Sequence, residues 1–261
     1  MIDPSVEILA LLALAAFLAG IIDSIAGGGG LITVPALLLA GVPPLQALGT
    51  NKLGGLFGSG SATIAYASKG LVDLKSQLPT AAMSALGGGV GAAIATIVPG
   101  EWMRALLPVL LVAIALYFAL KPNMDDVDRH QRMTPFLFGL SVVPLIGLYD
   151  GIFGPGTGSF FMLAYVSLLG YGVLKATAHT KLLNFGSNIG SIIVFVFAGA
   201  VLWKIGLIMG VCQFLGARLG ASLAMRIGAK LIKPLLIITC LALAVRLLMD
   251  PSNPLRQMIG I

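Results

Sequence analysis

Twice in this chain an apolar helix ends in an aspartate and runs directly into a glycine-rich break. Residues 20–30 read GIIDSIAGGGG and residues 147–158 read GLYDGIFGPGTG, each followed by another short apolar run. Each glycine in a row of four lowers helix stability by about 1 kcal/mol, so the helix stops there. Inside hydrocarbon a central aspartate costs roughly 2.5–3.5 kcal/mol on the insertion scale, and unwound backbone has no water to bond to. Both survive only where they line a polar cavity. Two such breaks in one chain are the arrangement from which membrane transporters build a binding site.

Hydrophobic residues make up 58% of the chain and charged residues 10%, too few solvated groups to cover a water-soluble domain. The expected class is an all-α polytopic membrane protein. Apolar stretches near 6–23, 46–68, 76–98, 102–120, 134–150, 182–202, 205–225 and 231–249 have bilayer-spanning length, while 31–41 and 158–170 are shorter. That gives about eight to ten membrane segments. The N-terminus, MIDPSVE, lacks the basic region of a secretory signal, and the first segment belongs to a matched pair, so it is expected to be retained. A net charge of +6 does not indicate nucleic acid, because the basic residues sit in short loops without interleaved aromatics. Cys212 and Cys240 lie in apolar segments without ligand spacing and read as small buried residues; no metal site, disulfide or cofactor is expected.

Beyond the breaks the halves align with a two-residue insertion. ALGTNKL at 47–53 faces ATAHTKL at 176–182, AYASKG at 65–70 faces VFVFAG at 194–199, and LGGGVGA at 86–92 faces LGARLGA at 215–221. The organisation is a first repeat over 1–120, a hydrophilic linker over 121–133 and a second repeat over 134–261. Loop charges bear on handedness. If 31–41 and 158–170 return the chain to the side it came from, one side carries Lys69, Lys75, Lys121, Arg129, Arg132, Lys175, Arg226, Lys230 and Lys233. The other side then has Arg104, Lys204, Arg246 and Arg256. If each aspartate–glycine unit is a single broken crossing, the split is eight against five. The positive-inside rule favours the first arrangement: two inverted repeats, the linker in the cytoplasm and both termini outside. The broken helices are then either re-entrant hairpins or pairs of crossings. Trp102 and Trp203 occupy repeat-related turns on the outer face, where interfacial aromatics are favoured.

Helices opening near Leu31 and Ser159 present free N–H groups and a positive dipole end to the breaks, which suits an anion. The candidate anion-binding residues are Gly27, Gly28, Gly29, Gly30, Asn51, Lys52, Gly154, Gly156, Thr157, Gly158, Thr180 and Lys181. Asp23 and Asp150 either exchange protons or hold the loops, and as the nearest carboxylates in each half they are the expected partners of Lys52 and Lys181 respectively. The competing reading makes the lysines parts of neutral structural pairs or lets them snorkel to the interface. The break glycines would then serve close helix packing, as expected for Gly87, Gly91, Gly216 and Gly220. His179 reads as a segment-end polar residue rather than a proton relay. Arg218, whose repeat position holds Gly89, reads as a structural pair or carbonyl contact. Ser59, Ser61, Asn184, Ser187 and Asn188 follow the lysines and either line the path or bond between helices.

The stretches GIIDSIAGGGGLITVP (20–35), TNKL (50–53), YDGIFGPGTGSF (149–160) and KATAHTKLLN (175–184) resemble the sulfite exporter TauE/SafE family, the 4-toluene sulfonate uptake permeases, over almost the whole chain. The resemblance implies a multi-pass secondary transporter of sulfur-containing anions such as sulfite, sulfonates or sulfoacetate, in either direction. Its partners would be the lipid bilayer and a small anionic substrate, and a homo-oligomer is compatible with it. Many members have Ser where this chain has Lys52 and Lys181, so the identity of the anion does not carry over. The leading expectation is a proton-coupled anion transporter of the inner membrane, not an enzyme. An anion channel of the same architecture is the rival. An intramembrane aspartyl protease, suggested by Tyr149–Asp150, lacks the GxGD motif, and no GxxxxGK[ST] is present for ATP.

Overall fold

The computed structural model describes residues 5–97 and 125–228, with isolated positions within 109–120 and 230–249. The expected segments 102–120 and 231–249 lie largely outside the described residues, as do Trp102, Cys240 and both termini. The described residues are helical with no strand. In the first half run α1 (Val6–Ala26), α2 (Gly30–Leu39), α3 (Pro44–Ala67) and α4 (Leu74–Ala95). In the second run α5 (Pro135–Ile152), α6 (Thr157–Leu169), α7 (Val173–Phe197) and α8 (Trp203–Ile227). Among the described residues each half thus runs long, short, long, long.

Local chemistry sets the boundaries. The Ser5 hydroxyl accepts the Ile8 N–H at 3.4 Å to start α1, Pro44 opens α3, and the Asp73 carboxylate accepts the Lys75 N–H at 3.0 Å to start α4. At the end of α1, Gly27 takes a left-handed conformation (φ 80°) that side chains disfavour, and its N–H returns to the Asp23 carbonyl at 2.8 Å. In α5 a widened turn over Phe138–Val142 precedes Pro144, which has no N–H to continue the α-helical ladder. The sequence places the start of α7 nine residues too late, at 182 instead of Val173. The polar run through Lys175, His179 and Lys181 reads as loop by hydropathy, yet it lies inside the first turns of α7.

Among the described residues five helices, α1, α4, α5, α7 and α8, are long and apolar enough to cross a membrane. α3 has the length, but Thr50, Asn51, Lys52, Ser59 and Ser61 dilute its apolar character. The polarity of the bundle is reversed relative to a water-soluble protein. α1 exposes Leu11, Leu14 and Leu18 and buries Ala16, Ala19 and Gly20, while Asn51, Lys52, Lys181 and Gln213 are buried. Such an exterior is matched to hydrocarbon. Arg218, expected in a pair or carbonyl contact, instead lies on the exposed face of α8.

Each half's first helix packs on the last described helix of the other half. α1 lies on α8, with Gly216 beside Phe17 and Gly220 beside Ser24; α5 lies on α4, with Gly87 beside Pro144 and Gly91 beside Leu148. These four glycines serve close packing, as their spacing suggested. Residue numbers rise together along both contacts, so the paired helices run the same way. α3 follows α8 likewise (Leu53 with Gly206, Phe57 with Gly210), and α4 follows α7, where the Ser84 hydroxyl donates to the Leu183 carbonyl and that of Ser191 to Gly88. α3 and α7 run opposite ways, with Gly49 beside Ala200 and Gly60 beside Phe185. Leu37 and Val42 pack with Leu12 and Ala16, so α2 folds back along α1.

Residues 125–133 dock onto the start of α7. The Val173 N–H donates to the Asp125 carbonyl (3.0 Å), the Gly172 N–H to the Asp128 carboxylate (2.8 Å) and the Leu174 N–H to the Asp126 carboxylate (2.9 Å), while Lys175 pairs with Asp128 at 2.5 Å. The linker thereby caps a helix that has no capping side chain of its own. Desolvation alone would raise the Asp128 carboxyl, but the Gly172 N–H and the Lys175 ammonium hold it below its usual range. A depressed carboxylate adds stability above its unfolded-state value, and that stability is lost as pH falls through the lower folded one. Because Asp128 is half exposed, Asp128→Asn should cost less than about 1 kcal/mol. Melting curves in detergent between about pH 6 and pH 3 should show a shallower acid-side loss for the variant than for the parent.

Candidate functional site

The two breaks touch. A methyl group on Gly27 would lie 2.6 Å from the Ser159 nitrogen and closer still to the backbone of Gly158, so neither glycine has room for a side chain. The Ser159 hydroxyl donates to the Ala26 carbonyl at 3.1 Å, fastening the start of α6 to the end of α1. α2 and α6 begin here, each with the unpaired N–H groups that every helix start carries. Several are already used: the Gly29 N–H donates to the Asp23 carboxylate at 3.1 Å, Leu31 to the Gly28 carbonyl at 3.1 Å, Thr157 to the Gly154 carbonyl at 3.4 Å and Ser159 to the Gly156 carbonyl at 2.9 Å.

The lysines pair across the halves, not within them. The Lys52 ammonium lies 2.8 Å from the Asp150 carboxylate and donates to the Asp150 carbonyl at 2.6 Å. The Lys181 ammonium donates to the Asp23 carbonyl and stands 3.5 Å from its carboxylate. The expected pairing of Lys52 with Asp23 and Lys181 with Asp150 is therefore wrong. Nearness in sequence misled because the antiparallel contact of α3 with α7 carries each lysine to the opposite break. The two aspartates also differ. Asp150 takes Lys52 and the Thr157 hydroxyl (2.7 Å) on one oxygen and the Ser187 hydroxyl (2.5 Å) on the other. Asp23 has the longer ion pair, and its side chain is 18% exposed against 6% for Asp150.

Between the breaks lies a cavity of about 30 Å³, room for roughly two waters at ~10–15 Å³ each. Of the sequence candidates, Asp23, Gly27, Gly29, Gly30, Asn51, Lys52, Asp150, Gly154, Gly156, Thr157 and Gly158 line it. Gly28, Thr180 and Lys181 do not; Lys181 sits behind Asp23, and the Thr180 hydroxyl is buried without a partner. The Thr33 hydroxyl donates to the Asn51 side-chain carbonyl at 2.5 Å, which turns the Asn51 amide nitrogen toward Gly30 and Gly154. Asn184 and Asn188 also line the cavity, whereas Ser61 ties α3 to the Phe214 carbonyl of α8 at 2.8 Å. His179 is not among the lining residues; its ring bonds to the Lys175 carbonyl at 2.9 Å and packs on Tyr165 and Tyr171.

Sequence reasoning missed two lining residues, Gly55 and the more informative Gln213. It projects from α8 into a slot left by Gly54 and Gly58 of α3, and its amide nitrogen has no partner. The available signal was a lone amide in an apolar helix at the position facing Ser84 in the repeat.

The Sulfite exporter TauE/SafE family model matches residues 12–247. A probable membrane transporter protein ORF9 from Sinorhizobium sp is 67% identical over 99% of both chains. The probable membrane transporter protein YfcA of Escherichia coli K12 is 46% identical over 93% of this chain and 90% of its own. A probable membrane transporter protein from Haemophilus influenzae is 43% identical over 95% and 97%. No solved structure matches.

Removing one member of a buried pair strands the other charge, so Lys52→Met should cost about 3–5 kcal/mol of stability. Adding Asp150→Asn should recover most of that loss, while adding Asp23→Asn should recover none. Melting temperatures of the two double variants decide between cross-half and within-half pairing.

Proposed function

Since the chain belongs to the sulfite exporter TauE/SafE family of membrane transporters, we propose that it is a secondary transporter of a small sulfur-containing anion across the cytoplasmic membrane, coupled to protons. The supporting observation is a polar cavity where the two breaks meet, flanked by two ion pairs that each join one half to the other. The four buried charges cancel. An arriving anion unbalances them, and a proton restores neutrality. Asp23 is the proton acceptor, because its ion pair is longer and its carboxylate more open than that of Asp150. Protonating Asp23 frees Lys181 to face the anion and loosens one tie between the halves, while Asp150 remains held by three donors. Anion and proton together thus favour movement of one half against the other.

The two halves, 1–120 and 134–261, are inverted repeats in this reading, with α1–α2 and α5–α6 as re-entrant hairpins. The opposed course of α3 and α7 and the fold-back of α2 along α1 support it. So does the contact of Asp126 with both Gly172 and Gly228, which gathers Arg129, Lys175 and Arg226 toward one end of the bundle. That end is the cytoplasmic one, and both termini lie outside.

In proteoliposomes, sulfite uptake should saturate and should increase with an inward proton gradient; flux linear in sulfite concentration would indicate a channel instead. Lys181→Met should weaken sulfite binding at least tenfold, about 1.4 kcal/mol, and Asp23→Asn added to it should restore melting temperature but not binding. Asp23→Asn alone should exchange sulfite without responding to the gradient.

For topology, a reporter after Ile261 should read as external and a tag within 122–133 as cytoplasmic. Both on one side would overturn the inverted arrangement.

A further inference from the structure

Two side chains that line the same cavity from different helices each carry a buried polar atom without a partner, and the two atoms are of opposite kind. Gln213 of α8, 3% exposed, leaves its side-chain nitrogen, a donor, without a partner. Asn184 of α7, 6% exposed, leaves its side-chain oxygen, an acceptor, without one. A buried amide atom without a partner is destabilising, a cost relieved when a ligand supplies the missing bond. An oxyanion without hydrogen satisfies the Gln213 donor but meets the Asn184 oxygen with its own lone pairs. A ligand that satisfies both carries an oxygen to accept and a hydroxyl to donate.

Charge leads to the same ligand independently. Lys52 and Lys181 are balanced by Asp150 and Asp23, so the site offers no excess positive charge. A monoanion accompanied by one proton on Asp23 leaves it neutral. A dianion needs a second proton, and both Asp150 oxygens are already engaged by Lys52, Thr157 and Ser187. An uncompensated charge at this depth is strongly disfavoured.

We infer that the cavity recognises a singly charged oxyanion that retains one hydroxyl, with Gln213 donating to an unprotonated oxygen and Asn184 accepting from the hydroxyl. This rests on the anion-transport reading and narrows it. The halves are unequal in the very residues that perform this recognition: Ser84 stands opposite Gln213 in the repeat, and Gly55 opposite Asn184. Ser84 is already spent on the Leu183 carbonyl, so the donor–acceptor pair belongs to the second half alone.

Hydrogensulfite and methanesulfinate form a matched pair of probes. Both are monoanions of similar shape, and the second has a methyl group where the first has its hydroxyl. Calorimetric titration of the purified full-length protein, in a mildly acidic buffer where sulfite is mainly hydrogensulfite, should give at least tenfold tighter binding of hydrogensulfite. Asn184→Leu should bring the two anions to within about twofold of one another, and Gln213→Leu should weaken both alike. Equal binding of the two probes by the unmodified protein overturns this inference and leaves the anion transporter standing. Binding of neither overturns both. A preference that survives Asn184→Leu in a protein with unchanged melting temperature removes Asn184 from the site. The comparison in the unmodified protein decides even where a variant fails to fold.

Discussion

An ammonium group can be held away from water only against a carboxylate, and this constraint organises the bundle. Lys52 and Lys181 are almost completely buried, and neither has a carboxylate on its own helix. Each finds one in the last turn of a broken helix in the other half, just before the glycines that end α1 and α5. The helix order follows: α3 and α7 cross in opposite senses, each delivering its lysine to the opposite hairpin. The hairpins must then meet, and Gly27 and Gly158 allow them to do so backbone to backbone.

Much of this could be read from the residues. The duplication, the glycine breaks, the paired aspartates and lysines, and the close-packing role of Gly87, Gly91, Gly216 and Gly220 are local patterns, and periodicity and composition report local patterns well. Pairing was not legible, because whether Lys52 meets Asp23 or Asp150 depends on how two halves cross. The start of α7 was missed for a related reason. Its cap is supplied by Asp126 and Asp128, more than forty residues earlier in the chain, so the sequence around Val173 contains no capping signal. Gln213 stayed hidden among apolar neighbours because the slot it enters is made of absent side chains, Gly54 and Gly58 on another helix.

Duplication also gave the two halves freedom to diverge. The ion pairs remain twofold, while the amides do not: Asn184, Asn188 and Gln213 belong to the second half and face Gly55, Ser59 and Ser84 in the alignment of the halves. Charge neutrality is a property of the whole assembly and is kept by both halves together. Recognition of a small ligand needs one donor and one acceptor in one place, and a single half can supply them.

Cross-half pairing also sets a timetable for synthesis. Lys52 and Asp150 are 98 residues apart. At about 5–20 residues per second, the ribosome delivers the carboxylate roughly 5–20 s after the lysine. Over that interval Lys52 lacks the carboxylate it finally pairs with, and its long aliphatic stem allows the ammonium to reach toward the lipid headgroups. Asp23 waits longer, across the 158 residues to Lys181. Both ion pairs therefore close only once the second half has been made, so the packing that depends on them comes late in synthesis.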